Sequence, residues 1–377
     1  MATAQLIEDV VEAEAIHEAW DGLAQASQRP FCSPAWMLAW WRNARPGQAR
    51  LRIVVVRDGG ELIGVAPFFS IRALGGINEL RLLASRTSVR AEPLAKPGTE
   101  EEIAAATVDL LRSVRPRPDL VLFEGIPTTS RWPLLLYNAW HSGAAPFRHR
   151  AYPTLAPTLD LRGREYEQWL RSRPSHFRRE AFRRRRLLEQ RGAVFRLVED
   201  LSEVAGALDS FFRLHHSRWQ QRGGSSVLTE GVQAMLLDAA LVLVREGRFR
   251  IWTITVADEV ISAHIFIVAG GEVAYWLGGF DQEWAKYGPA IQSVLKALEH
   301  AWEQGNLRMD FGAGAQEYKY SFAEGQDVLE SVMIAPRASR YPLTRIQIAP
   351  RLVREYASMR MSAGLRNRLN RLRPWRR

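Results

Sequence analysis

The sequence predicts an α+β protein made of two related halves, each a mixed, mainly antiparallel sheet flanked by helices. Residues 51–70 (LRIVVVRDGGELIGVAPFFS) align without a gap with residues 249–268 (FRIWTITVADEVISAHIFIV), at an offset of 198. Arg52/Arg250, Ile53/Ile251, Glu61/Glu259, Ile63/Ile261 and Phe68/Phe266 are identical pairs. Both segments are a β-rich run, a two-residue turn and a second β-rich run, which is the pattern of a hairpin. A chain of 377 residues is also the length of two domains at roughly 100–200 residues each.

The elements follow in order. Helices are expected at Val11–Ala24 and Pro34–Arg42, the second with Ser33 as N-cap and Pro34 at its first position. After the first hairpin come a strand at Leu80–Ala84, a helix at Thr99–Arg112 and a strand at Asp119–Glu124. Pro153 and Pro157 read as a linker, so the first domain is taken as 1–157 and the second as 158–336. The second half opens with an Arg-rich helix, Ser175–Arg191, stopped by Gly192, and a strand at Ala193–Val198. Helices at Leu201–Arg222 and Gly231–Arg245 precede the second hairpin, which Glu272–Gly278 extends. Ile291, Val294, Leu295, Leu298 and Trp302 then recur at helical spacing in Gly288–Gln304, and Leu307–Phe311 is a short strand. A basic arm, 337–377, ends the chain.

Composition narrows the function classes. The single cysteine, Cys32, can form no intramolecular disulfide and no cysteine-rich zinc site. HExxH and GxSxG are absent, so no metal site and no serine nucleophile are expected. The acidic N-terminus does not read as a secretory signal, and no apolar run reaches the roughly 18–20 residues of a membrane-spanning helix. A reducing, cytoplasmic setting is the expectation. The net charge of +10 is concentrated: 162–191 carries 11 Arg and 4 Glu, 337–377 carries 12 Arg and 1 Glu, and the remainder sums to −8. Such patches attract phosphate, anionic lipid or nucleic acid.

The chemistry is concentrated in 272–322. A strand ends at Gly278-Gly279, and Tyr287-Gly288-Pro289-Ala290-Ile291 starts a helix whose free N–H groups and dipole favour a diphosphate. The same residues equally suit a structural helix start. Asp310, ending a short strand, is a candidate general base for an acceptor amine, or a loop cap. Lys319 is a candidate for holding an anionic substrate or a developing oxyanion, or a surface lysine. Its neighbour Tyr318 is a candidate proton donor or a packed ring. His215, Arg218 and Trp219 share a helix and can line an acceptor cleft. The Arg178–Arg186 run, with Arg178 and Arg179 foremost, is either a solvated face or an anion-binding one.

The hairpin together with GGFD, YGPAIQ, MDFGAG and EYKYSF resembles the GNAT acyltransferase superfamily. FCSPAWMLAWW, FRREAFRRRRLLEQRG and LHHSRW narrow the resemblance to the tandem, CelD/BcsL-like acyltransferases associated with cellulose biosynthesis, relatives of the FemABX peptidyltransferases. The resemblance covers most of residues 30–325. It implies tandem duplicated GNAT-like domains, with the second carrying the active site. It implies acyl-CoA, acetyl-CoA first, as co-substrate, with its phosphates at Gly288-Pro289. It implies a lysine at Lys319 near the reacting groups. The acceptor would be an amine or hydroxyl of a polysaccharide, saccharide or cell-envelope precursor. The alternatives are a FemABX-like ligase using aminoacyl-tRNA and a non-catalytic module that binds an anionic polymer or nucleic acid. The basic arm, with its interspersed Leu and Met, is expected at an anionic membrane surface, which would hold the protein peripherally at the inner face.

Overall fold

The computed structural model describes residues 2–141, 145–220, 225, 227–338 and 340–360, the side chains of 74, 152, 218–220 and 354–360 aside. The first half runs β1 (Thr3–Ile7), α1 (Val10–Glu14), α2 (His17–Ala26), α3 (Pro34–Asn43), β2 (Arg50–Asp58), β3 (Glu61–Arg72), β4 (Asn78–Leu82) and β5 (Leu94–Ala95). It continues through α4 (Glu100–Ser113), β6 (Leu120–Pro127), α5 (Trp132–Trp140) and β7 (Phe147–Asp160). The second half runs α6 (Tyr166–Ser172), α7 (Ser175–Glu189), β8 (Val194–Val198), α8 (Leu201–Gln220), α9 (Glu230–Leu243), β9 (Phe249–Val256), β10 (Glu259–Ala269) and β11 (Glu272–Phe280). A 3-10 turn (Gln282–Tyr287) leads into α10 (Pro289–Glu303), β12 (Arg308–Asp310), α11 (Glu317–Tyr320), β13 (Gly325–Ala335) and α12 (Tyr341–Arg360).

The described strands form one sheet in the order β1-β2-β3-β4-β6-β13-β7-β12-β11-β10-β9-β8, with β5 beside β3. Counted inward from each edge, the two halves are the same: four antiparallel strands and then a fifth that is parallel to the fourth. The parallel pairs are β4 with β6 and β11 with β12. The repeated hairpins therefore occupy equivalent places, β2–β3 and β9–β10. Their turns agree as well: Gly59 and Gly60 have φ of 55° and 89°, and Ala257 and Asp258 have 47° and 65°. Positive φ at both central residues is what a two-residue hairpin turn demands. The second half meets that demand without glycine.

The halves are joined through the middle of the sheet. β7 pairs with β12 of the second half, while β13 pairs with β6 of the first and with β7. Residues 157 and 158, where the linker was expected, are both paired inside β7. Proline is normally excluded from central strands because it cannot donate to the ladder. Pro153 is tolerated because the register shifts there, so that Ala151 faces Ser331 and Thr154 faces Leu329.

Two cores lie on the sheet. The larger spans both halves; in it Trp36 of α3 meets Trp276 of β11 edge-on at 5.7 Å, and Trp276 also meets Phe211 of α8. The second lies under α6, α7 and α10 and contains Trp169, Phe266, Phe311 and Phe322. A smaller cluster seats the start of the basic arm: Ile348 of α12 is buried with Ile77, Leu120, Leu122 and Met333. Among the described residues no helix is long and apolar enough to cross a membrane. Residues 361–377 of the arm lie outside the described residues.

Candidate active site

β11 and β12 pair only over Glu272–Ala274 and Arg308–Asp310. Past Asp310 the chain turns at Gly312, whose φ is 75°. A Cβ at Gly312 would stand 3.1 Å from the Tyr275 carbonyl, so the turn presses against β11. The pairing of β11 with β12 therefore stops at Ala274 and Asp310, where the short β12 gives way to a left-handed glycine.

Asp310 is fully buried. Its Oδ2 accepts from Arg90 Nε at 2.6 Å and its Oδ1 from the Gly312 N–H at 2.9 Å. Arg90, from the loop after β4, also pairs with Asp327. Arg308 completes the cluster, donating to Glu272 at 3.1 Å and to Asp327 at 2.5 Å. Burial works against the charge on Arg90, but Asp310, Glu272 and Asp327 more than offset it and raise its pKa. Burial raises the pKa of Glu272, and Arg308 and Arg90 oppose that shift. Asp310 is therefore an ion-paired strut between the halves, with both carboxylate oxygens engaged.

Lys319 meets the same turn. Its Nζ donates to the Gly312 and Ala313 carbonyls at 3.0 and 2.9 Å. Burial brings it down to about 8, with Asp310 pulling the other way. Asp310 and Lys319 thus converge, one on the N–H and the other on the carbonyl of Gly312. Tyr318, next to Lys319, is exposed.

The two glycines ending β11 face opposite sides of the sheet. A Cβ at Gly278 would stand 2.1 Å from the His264 ring, and one at Gly279 would stand 2.7 Å from the backbone nitrogen of His215. Gly278 leaves room for the His264–Tyr275 pair, linked at 3.1 Å, and Gly279 lets α8 lie directly on the strand. Their smallness is a packing requirement. His215 is buried against that strand and bonds Ser225 Oγ through Nε2 at 2.9 Å. The side chains of Arg218 and Trp219 lie outside the described residues.

The first turn of α10 is different. Gly288 is left-handed (φ 62°, ψ 46°), Pro289 is buried at the first helical position, and Ala290 and Ile291 are half-buried. No acid stands in that turn. Basic groups surround it. A Cβ on Gly288 would stand 2.7 Å from Arg184 Nη1, and Arg191 and Lys286 lie over the buried Tyr287 ring at 5.5 and 5.1 Å. Gln292 Nε2 donates to the Ala181 carbonyl at 2.9 Å, fastening the arginine helix α7 beside α10. The equivalent helix of the first half, α4, starts with Glu100, Glu101 and Glu102. Those acids satisfy its dipole internally and repel phosphate. Only the second half has an anion-ready turn of the two. On α7, Arg178 is half-buried and Arg179 exposed; Arg183 and Arg184 share Glu180.

Residues 175–320 match the family described as "Acetyltransferase (GNAT) domain". The match begins at α7 and ends at α11, so it takes in the α10 turn, Asp310 and Lys319. Solved structures extend the likeness to the whole fold. The chain is similar to FemX with a TM-score of 0.62 at 12% identity, covering 91% of this chain and 99% of that one. It is similar to the C-terminal domain of a protein described as a lysylphosphatidylglycerol synthetase from Agrobacterium fabrum, with a TM-score of 0.56 at 11% identity over 89% and 95%. A conserved protein of unknown function from Bacteroides thetaiotaomicron gives 0.54 at 10% identity over 89% and 100%. At these identities the likeness is one of fold. A comparison with curated proteins finds no match.

Sequence reasoning missed Arg90 and did not single out Arg184 as parts of this site. Arg90 is 220 positions from Asp310, and no local pattern marks it. Arg184 stood among six similar arginines, and only the packing of α7 on α10 singles it out. Among the described residues no group of three or more His, Cys, Asp or Glu side chains is arranged to hold a metal ion.

Proposed function

We propose that the protein is an acyltransferase that moves an acyl group from an acyl-CoA to an amine or hydroxyl of a saccharide or cell-envelope precursor. The observation that carries this reading is the acid-free first turn of α10, with Arg184, Arg191 and Lys286 beside it, inside the segment that matches the GNAT domain. Ala290 and Ile291 would offer their N–H groups to the diphosphate while the cations neutralise it. The acyl chain would then run to where the β11–β12 pairing stops. The acceptor attacks the thioester carbonyl, a tetrahedral oxyanion forms, and the C–S bond breaks as the proton lost by the acceptor nitrogen or oxygen passes to the leaving thiolate. Lys319, charged below about pH 8, is the group there suited to steadying the oxyanion. In this reading Asp310 acts through position: with Arg90 it holds the Gly312 turn on which Lys319 rests.

Ala290→Glu tests the donor site. An acid in the first turn of a helix is neutral or mildly stabilising, by roughly 0.3–1 kcal/mol, so the fold is preserved. Binding of CoA, measured by calorimetry, is expected to weaken at least about tenfold. Unchanged affinity would remove α10 as the donor site.

One observation favours a second donor. Arg179, Arg183 and Arg186 are exposed on α7, beside the same turn. A continuous basic face there suits an aminoacyl-tRNA. Steeply salt-dependent tRNA binding, with no CoA binding, would transfer the weight to that reading.

A further inference from the structure

A cavity of about 670 Å³ lies on the face of the sheet covered by α3 of the first half and α9 of the second. Its floor is the β3–β4 pair, where Phe69 stands opposite Arg81 and Ile71 opposite Glu79. Trp40 of α3 and Val232 of α9 supply further apolar wall. The volume falls in the range of small-molecule sites, roughly 300–1,000 Å³.

The charges at the cavity do not cancel. Arg81 Nη2 donates to Glu79 at 2.5 Å and its Nη1 to Glu124 at 3.2 Å. Arg351, reaching in from α12, donates to the other oxygen of Glu79 at 3.1 Å. Ser85 Oγ donates to Glu124 at 3.0 Å. Among the described residues two arginines thus balance two glutamates. Arg86 is the surplus: it lines the cavity and is exposed at its rim beside Thr87. An apolar wall of Trp40, Phe69, Ile71 and Val232, ion-paired polar groups opposite it and one further cation at the mouth suit a ligand with an apolar body and a single negative charge.

We propose that this cavity is a binding site for a monoanionic small molecule with an aliphatic or aryl body, such as a carboxylate. The charged end pairs with Arg86 and the body lies along Phe69 and Trp40. The site is separate from the α10 turn and stands whether or not that turn takes acyl-CoA. It is nevertheless coupled to the second half by contact: the Thr87 carbonyl, at the cavity, accepts from Trp276 Nε1 of β11 at 2.7 Å.

The test uses the full chain and 8-anilinonaphthalene-1-sulfonate, an apolar anion that fluoresces on leaving water. Saturable one-to-one binding is expected. Octanoate should displace the dye, whereas octylammonium, equal in apolar length and opposite in charge, should not. Arg86→Glu should weaken dye binding by about tenfold or more, the scale of a lost charge-assisted hydrogen bond. Val227→Trp should also weaken it by filling the mouth; Val227 lines the cavity and is 41% exposed, so folding is spared. Ala290→Glu should bind the dye as the unaltered protein does, which separates this site from the donor turn. Equal displacement by octylammonium, or unchanged binding in both rim variants, would overturn the proposal.

Discussion

Arg90 Nε stands 2.6 Å from Asp310 Oδ2, and this one bond ties the loop after β4 to the end of β12. Both side chains are almost wholly buried, at 4% and 0%. Removing one partner of such a pair strands a charge in a low-dielectric interior. Arg90→Ala or Asp310→Ala is expected to destabilise the protein by about 3–5 kcal/mol, read as a lower urea midpoint. The double variant Arg90→Met/Asp310→Leu should recover much of that loss. Lost turnover at an unchanged midpoint would show that Asp310 acts on substrate instead.

Lys319 makes a pH prediction. Burial lowers its pKa from 10.5 to about 8, so between those values the unfolded chain binds more protons than the native one. Stability therefore rises with pH across that window, and the cost of the buried charge is fully present below it. Thermal unfolding from pH 7 to 10 should show this rise in the unaltered protein and not in Lys319→Gln. If the cation steadies an oxyanion, turnover should fall as pH climbs through about 8. Lys319→Arg, which stays charged, should lose that falling limb.

Two glycines should respond oppositely to alanine. At Gly279 a Cβ meets α8 backbone at 2.7–3.0 Å, which cannot swing aside, so Gly279→Ala should cost about 1–3 kcal/mol. At Gly206, inside α8, nothing lies within 4 Å. Gly206→Ala should stabilise by up to about 1 kcal/mol through helix propensity. Denaturant midpoints of the two variants check both signs.

The basic arm has two parts that truncation can separate. Ile348 is buried, and deleting a large aliphatic side chain from a core costs about 2–5 kcal/mol. A chain ended at Arg340 should therefore melt lower than the full chain. Flotation with anionic vesicles then compares the full chain with one ended at Arg360. Equal flotation would rule out residues 361–377 as a lipid contact.

Much of the fold was legible from local pattern. The hairpin repeat, the Ser33–Pro34 cap and the helix starting at Gly288-Pro289 rest on spacing, turn chemistry and capping, all of which act within a few residues. β7 was misread as a linker because Pro153 and Pro157 argue against a strand. Only the bulge opposite Leu329–Ser331 makes Pro153 admissible. The exchange of β7 and β13 between the halves likewise has no local signature, since strand pairing is decided by partners about 170 residues away.

By itself the sequence determined that the chain folds as two equivalent α+β halves, and that a helix opening without an acid follows the second hairpin. Those are consequences of periodicity and of short-range backbone hydrogen bonding, which the residues carry wherever they are placed. The tertiary structure alone decided what the residues face. It set Asp310 against Arg90, drew Lys319 onto the Gly312 turn, laid Arg184 beside Gly288 and brought Arg351 to Glu79. Each of these depends on burial, and a charge is repriced by its surroundings only once distant segments have excluded the water.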